Sequence, residues 1–267
     1  MESLVNHPYI FGVLLGLALA VAIEAGQKTS THARIQEDPH RKEQMIAIRD
    51  GLFVLVSLLL GFTLTLAVPR FNERRTLVIE EADAIHTSYL RAATLPQPYR
   101  LRAQQWLRQY TDARISLDAA GLDVDGLAQA SRQAKEIQEE LWGDVTEMTK
   151  TDRSAVMASY MSSLNEVIEL DSKRLAAFEN RIPITIWLMI VSVALIAVFA
   201  RGLTLGRRFW LTLALAPVTI ALVVALIADL DTPSAGLIRL DDRAMQRLPA
   251  EMSHSQDLAP GPHPEKR

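Results

Sequence analysis

The densest run of side chains able to do chemistry is Glu80-Glu81-Ala82-Asp83, followed closely by Thr87-Ser88-Tyr89-Leu90-Arg91. On a helix of 3.6 residues per turn the three acids spread over roughly 160°. They form a broad acidic face rather than a point site. Two readings fit them: a solvated face paired with Arg74, Arg75 or a facing helix, or an acidic ring or cation site at the mouth of a pore. Thr87, Tyr89 and Arg91 border an apolar stripe, which suits either a buried hydrogen-bond network between helices or a ligand contact. Asp171 and Arg174 stand at i,i+3 ion-pair spacing. Asp229-Leu230-Asp231, with Pro233 and Gly236 behind it, reads as a turn or as a pair of carboxylates that attracts a cation.

Other chemistry is missing its usual residues. The six histidines (His7, His32, His40, His86, His254 and His263) include no i,i+4 pair and no HExxH. Cysteine is absent, which removes thiolate ligands, disulfides and Cys nucleophiles. There is no phosphate-binding glycine loop and no GxSxG elbow. The sequence therefore predicts no catalytic residue, no metal and no cofactor, and an enzyme is the least supported class. A net charge of −3 and a pI near 6.1 argue against a nucleic-acid partner.

The elements that must carry these residues follow from how charge is distributed. Of 267 residues, 49% are hydrophobic and 22% charged. Yet residues 9–23, 51–68, 184–200 and 209–228 contain no Asp, Glu, Lys or Arg. A bilayer core needs about 20 apolar residues as helix, and only a helix or a closed barrel satisfies backbone groups in lipid. Four transmembrane helices are predicted, with the lipid bilayer as the first partner. The first run is read as a span rather than a cleaved signal, because MESLVNHP before it holds no Lys or Arg. Gly12, Gly16 and Ala20 form one small-residue stripe, and Ser57, Gly61 and Thr65 form another. Each suits packing within one bundle, a subunit contact or a pore-lining face. Trp187 and Trp210 sit near span ends, as interfacial aromatics do.

The chain divides into 1–68 (spans 1 and 2 with a basic connection), 69–183 (an extramembrane helical domain), 184–231 (spans 3 and 4) and a 232–267 tail. The short connections hold Lys28, Arg34, Arg41, Lys42 and Arg49, and Arg201, Arg207 and Arg208. The positive-inside rule places both in the cytoplasm of a bacterial inner-membrane protein. The 69–183 domain is then expected in the periplasm. Its apolar periodicity predicts four helices: one continuing from span 2 to about Thr94 with Pro69 as a bend, then about Pro98–Ile115, Asp123–Thr149 and Asp152–Glu179. The polar tail beyond about Leu248 is expected to be disordered. The fold class is all-α.

Residues 58–100 resemble the bacterial bestrophin-like membrane family. The resemblance rests on Gly61, Phe62, Arg74, Arg75, Glu81, Ala82, Thr87, Tyr89, Leu90, Arg91, Leu95 and Pro96. Tyr110, Arg114, Asn165 and Arg174 look like later family positions, and Asp229, Asp231, Pro233 and Gly236 match its closing DLDxPxxG. His86 departs from the glycine common in the family. Bestrophins are pentameric anion channels with four spans per subunit, so the resemblance implies a homo-oligomeric channel, with the middle domain cytoplasmic. Charge counting predicts the opposite side. Phe53, Phe62 and Phe71 are nine residues apart, so successive rings point to opposite faces, and no three-ring gate is expected. On this reading Ser57, Gly61, Phe62 and Thr65 line an ion pathway along span 2, with Arg74, Arg75, Glu80 and Glu81 at its mouth. Arg91 and Arg174 act as interhelical struts. The alternative is a non-conducting scaffold or sensor whose helical domain binds a partner or ligand.

Overall fold

The computed structural model describes residues 7–32, 38–121, 124–205, 210–232, 236–238 and 240–257. Among them are eight helices and no strand: α1 (Pro8–His32), α2 (Pro39–Ala92), α3 (Tyr99–Ala120), α4 (Val124–Met148), α5 (Ala155–Glu179), α6 (Ile184–Thr204), α7 (Trp210–Asp231) and α8 (Arg243–Asp257). Four are long and apolar enough to cross a membrane, with spans in α1, α2, α6 and α7. Outside the described residues fall Arg34, Arg207 and Arg208 of the connections, the expected Asp123 cap, Pro233, positions 258–267 and the Trp210 side chain.

The chain forms two compact units, and the division falls inside α2, between Phe71 and Asn72, then at Glu179/Asn180 and Arg239/Leu240. Helix α2 runs through Pro69 without interruption. Proline removes one N–H and leaves the Thr65 carbonyl without its i+4 donor, a defect tolerated in a long helix that neighbours support.

In the first unit the two small-residue stripes have different roles. A Cβ on Gly12 would sit 2.7 Å from the Ala225 Cβ, and one on Gly16 3.4 Å from the Ala221 Cβ. The first stripe therefore packs α1 directly onto α7. Further along, Gly26 and Gly202 let the backbones of α1 and α6 touch: a Cβ on Gly26 would collide with the Phe199 carbonyl, and one on Gly202 with the Ile23 carbonyl. The second stripe faces away from the bundle. Span 2 buries only the narrow row Val56, Leu60, Thr63 and Ala67, at spacings of four, three and four. Ser57, Gly61, Phe62 and Thr65 are exposed, and a Cβ on Gly61 would meet nothing within 4 Å. Trp187 is not an interfacial aromatic. It is 1% exposed and packs edge-on against Phe11 with centroids 5.7 Å apart.

Polar clamps close the unit at the residues flanking its apolar runs. Ser30 donates to the Leu203 carbonyl at 2.7 Å, and Arg49 to the Thr204 hydroxyl at 3.1 Å. Elsewhere Asp231 accepts the Ile182 N–H at 3.1 and 3.2 Å. Asp229 accepts the Tyr9 hydroxyl at 3.0 Å and the N–H groups of Leu237 and Ile238 at 3.2 and 3.1 Å.

The second unit surrounds the C-terminal half of α2 with α3, α4, α5 and α8. Its core holds Ile85, Tyr89, Leu107, Tyr110, Leu141, Tyr160 and Leu164. The tail expectation is corrected up to Asp257. Met245, Leu248 and Met252 recur at three and four residues and are fully or almost fully buried on α8. Averaged composition reads that segment as polar, whereas periodic burial at about 1.5–3 kcal/mol per side chain makes it a packed helix.

Gly202→Ala overpacks the α1–α6 contact and is expected to cost about 1–3 kcal/mol. Gly61→Ala meets no neighbour and gains helix propensity of up to about 1 kcal/mol. Thermal unfolding in detergent should show a lowered Tm for the first and an unchanged or raised Tm for the second.

Candidate functional site

One carboxylate organises the polar interior of the second unit. Glu81 is fully buried because α2 presents Leu77, Ala84, Ile85 and Ser88 on the same inward side. An isolated buried carboxylate is costly, so it must be paired and hydrogen-bonded. Its Oε1 accepts the Tyr110 hydroxyl at 3.1 Å and lies 2.9 Å from Arg114 Nε. Its Oε2 accepts Arg114 Nη2 at 3.2 Å and Arg174 Nη1 at 2.5 Å. Arg114 also donates to Asp171 at 2.6 Å, and Arg174 to Asp118 at 2.6 Å. Gln138 closes the ring, donating to the Tyr110 hydroxyl and to Asp171, both at 3.1 Å. Four helices meet here: α2 through Glu81; α3 through Tyr110, Arg114 and Asp118; α4 through Gln138; and α5 through Asp171 and Arg174.

Two guanidiniums face three carboxylates in this cluster. Burial pushes the Asp118 carboxyl above its usual range, against the pull of Arg174 and then Arg114. Burial, reinforced by the charge of Glu81, holds the Tyr110 phenol well above its ordinary value, so Tyr110 stays a neutral donor. The arrangement ties helices together. It offers no nucleophile next to a base, and no group of three His, Asp or Glu side chains among the described residues is placed to hold a metal.

The other sequence candidates are distributed around this cluster. Arg74 is buried, whereas Arg75 is exposed with its guanidinium 3.9 Å from Asp241. Arg243 lies 2.7 Å from the same carboxylate, and its hydrogen bonds hold Asp241 down at about 2. Glu80 and Asp83 are exposed, so the acidic face splits: only Glu81 turns inward. Thr87 is half-buried. Tyr89 is buried; its hydroxyl accepts Arg108 Nη2 at 2.6 Å, with that guanidinium 5.3 Å from the ring centre. Arg91 donates to the Ser159 carbonyl at 2.9 Å, bridging α2 and α5. His86 lies 3.8 Å from Glu251 and 3.5 Å from Ser255 on α8. The Asp171–Arg174 pairing is corrected, since each binds a residue of α3 instead. Asn165 is exposed.

Two members escaped the sequence reading. Asp118 and Gln138 look like ordinary polar residues of surface helices, and only helix-to-helix placement makes them partners. A weak signal existed for Asp118: it follows Tyr110 and Arg114 at four-residue steps, on the same helix face.

The DLDxPxxG element is a structural clasp. Gly236 has φ +148°, a conformation side chains avoid, and a Cβ there would collide with the Asp229 carboxylate. Glycine is needed so that the chain can fold back and give its next two N–H groups to Asp229.

A sequence profile described as "Bestrophin-like domain" matches residues 48–245. The chain belongs to the bestrophin-like family. Solved structures agree at the level of fold. A bacterial bestrophin homolog from Klebsiella pneumoniae, solved by zinc phasing, has a TM-score of 0.66 at 15% identity, over 94% of this chain and 99% of that one. Two single-site variants of a Klebsiella pneumoniae bestrophin homolog give TM-scores of 0.68 at 14% and 15% identity, covering 93% and 92% of this chain and 97% of theirs. No curated protein matches.

Glu81→Gln removes the carboxylate shared by both guanidiniums, leaving Arg114 with Asp171 and Arg174 with Asp118, and the weakened buried hydrogen bonds are expected to cost about 1–3 kcal/mol. The neighbouring Glu80→Gln, on the exposed face, should stay within about 0.5 kcal/mol. Chemical denaturation of the purified protein checks both.

Proposed function

We propose that this bestrophin-like protein assembles into a homo-oligomer, a pentamer as in bestrophins, in a bacterial inner membrane. It conducts ions along a pathway lined by span 2. The supporting observation is the orientation of that span. Ser57 and Thr65, with Gly61 between them, put two of the span's three hydroxyls on an exposed face, whereas the third, Thr63, is buried. A polar stripe turned toward lipid gains nothing, whereas one turned toward a shared axis can contact water and ions. Phe62 lies on the same open side and forms the bulky lining. Arg74, Arg75, Glu80 and Glu81 follow on the same helix toward the proposed mouth, with Glu81 and Arg174 stabilising that end rather than contacting ions.

Family resemblance suggests anions. One observation favours cations: Ser57 donates its hydroxyl hydrogen to the Phe53 carbonyl, and Thr65 donates to the Gly61 carbonyl, at 2.9 and 3.0 Å. Their outward lone pairs then suit cations, because an anion needs donors. Reconstituted liposomes resolve the two. Wild-type protein should carry current whose reversal potential identifies the ion. Gly61→Leu, which adds bulk to an open position, should lower conductance several-fold while preserving the oligomer. A folded oligomer that stays ion-tight across voltage and pH would overturn conduction and favour the scaffold or sensor.

The 69–183 domain is proposed to lie outside the inner membrane. With no native cysteine, single thiols report topology cleanly. Ser131→Cys and Thr31→Cys, both at exposed positions, should react oppositely with an impermeant maleimide on intact cells, Ser131→Cys labelling and Thr31→Cys not. The reverse pattern would give the bestrophin orientation.

A further inference from the structure

A groove of about 760 Å³ runs between α2 and α7 in the first unit. That volume lies within the range of small-molecule sites, and its chemistry is graded along its length. Arg49, Asp50 and Arg201 stand at one end, and the remainder is lined by side chains such as Phe53, Leu60, Leu64 and Leu215. The two hydroxyls on its walls give their hydrogens to their own helices: Ser57 donates to the Phe53 carbonyl at 2.9 Å and Thr219 to the Leu215 carbonyl at 2.8 Å. Gly61 adds open space where a side chain would stand.

The charges at the end do not cancel. Arg49 is 2.7 Å from Asp50 and also engages Thr204. Arg201 forms no ion pair with another described residue and is half-buried. One positive charge is left over beside an apolar trough. From Arg49 to Leu64 the helix rises about 22 Å, against about 15 Å for one leaflet of a bilayer core. The groove therefore has the length of a lipid tail with its head at the charged end. A second groove, about 440 Å³ between α1 and α7, has no charged residue in its lining and lacks this grading.

We propose that the α2–α7 groove binds an acidic phospholipid, with its phosphate at Arg201 and Arg49 and one acyl chain along the trough. Complementary charge selects this occupant: a basic pocket between membrane helices recognises anionic headgroups, whereas the apolar runs 9–23, 51–68, 184–200 and 209–228 of a second copy offer no acid to Arg201. The groove shares Ser57 and Gly61 with the proposed pathway lining. Phe62 and Thr65 do not line the groove, and they lie about 140° and 80° round the helix from Ser57.

The test uses the full chain in mild detergent, incubated with phosphatidylglycerol or phosphatidylcholine and read by native mass spectrometry. Wild-type protein should retain phosphatidylglycerol about fivefold better, in line with one surface charge. Arg201→Gln should abolish that preference while leaving the lipid-free Tm unchanged. Leu215→Trp, which fills the trough from an exposed position, should reduce retention of both lipids with no change in oligomer mass. Equal retention of the two lipids by the wild type overturns the proposal, as does a preference that survives Arg201→Gln. A changed oligomer mass in Leu215→Trp would assign the groove to a neighbouring copy and also overturn it. None of these readouts uses ion flux, so failure here is separable from failure of conduction.

Discussion

Everything in the extramembrane unit is arranged around one unfavourable act, the removal of the Glu81 carboxylate from water. Two guanidiniums and a phenol offset that cost, and each of them then needs partners of its own. Asp171 and Asp118 answer Arg114 and Arg174, and Gln138 answers Tyr110 and Asp171. A hydrophobic core tolerates small slips between helices. This set of short, directional bonds does not, because a shift of one turn would leave a buried charge unpaired. The network therefore specifies register among α2, α3, α4 and α5, while the aliphatic core around Ile85, Leu107, Leu141 and Leu164 supplies most of the stabilisation.

The membrane unit meets a different constraint. Lipid is as apolar as leucine, so burying leucine does not draw helices together there. Close approach must come from small residues and from polar bonds. Gly12, Gly16, Gly26 and Gly202 bring α1 against α7 and α6 closely enough for backbone to touch backbone. Polar clamps then close the flanks, Ser30 and Arg49 beside one set of loops, Asp229 and Asp231 beside the other. Span 2 has neither device along most of its length. It is held by one narrow row of side chains, which leaves its polar stripe and its groove wall available to whatever surrounds the chain.

The sequence alone determined the number and placement of the spans, the all-helical class and the family. The physical reason is local: charge is excluded from a bilayer over about 20 residues, and helical periodicity survives in any window of that length. It also marked Glu81, Tyr110, Arg114 and Arg174, though without revealing that they meet. The polar average of the tail hid α8, because three methionine and leucine side chains at the right spacing outweigh the residues between them.

Tertiary structure alone decided which way each stripe faces. Gly12/Gly16 and Ser57/Gly61 are similar as patterns, yet one is filled by Ala221 and Ala225 and the other by nothing in the chain. It also separated Glu81 from Glu80 and Asp83, exchanged the i,i+3 partners Asp171 and Arg174 for residues on α3, and turned Trp187 inward against Phe11. Each outcome depends on contacts between residues tens to hundreds of positions apart. Such contacts leave no trace in local spacing, because a helix records only its own periodicity and not the neighbour it will meet.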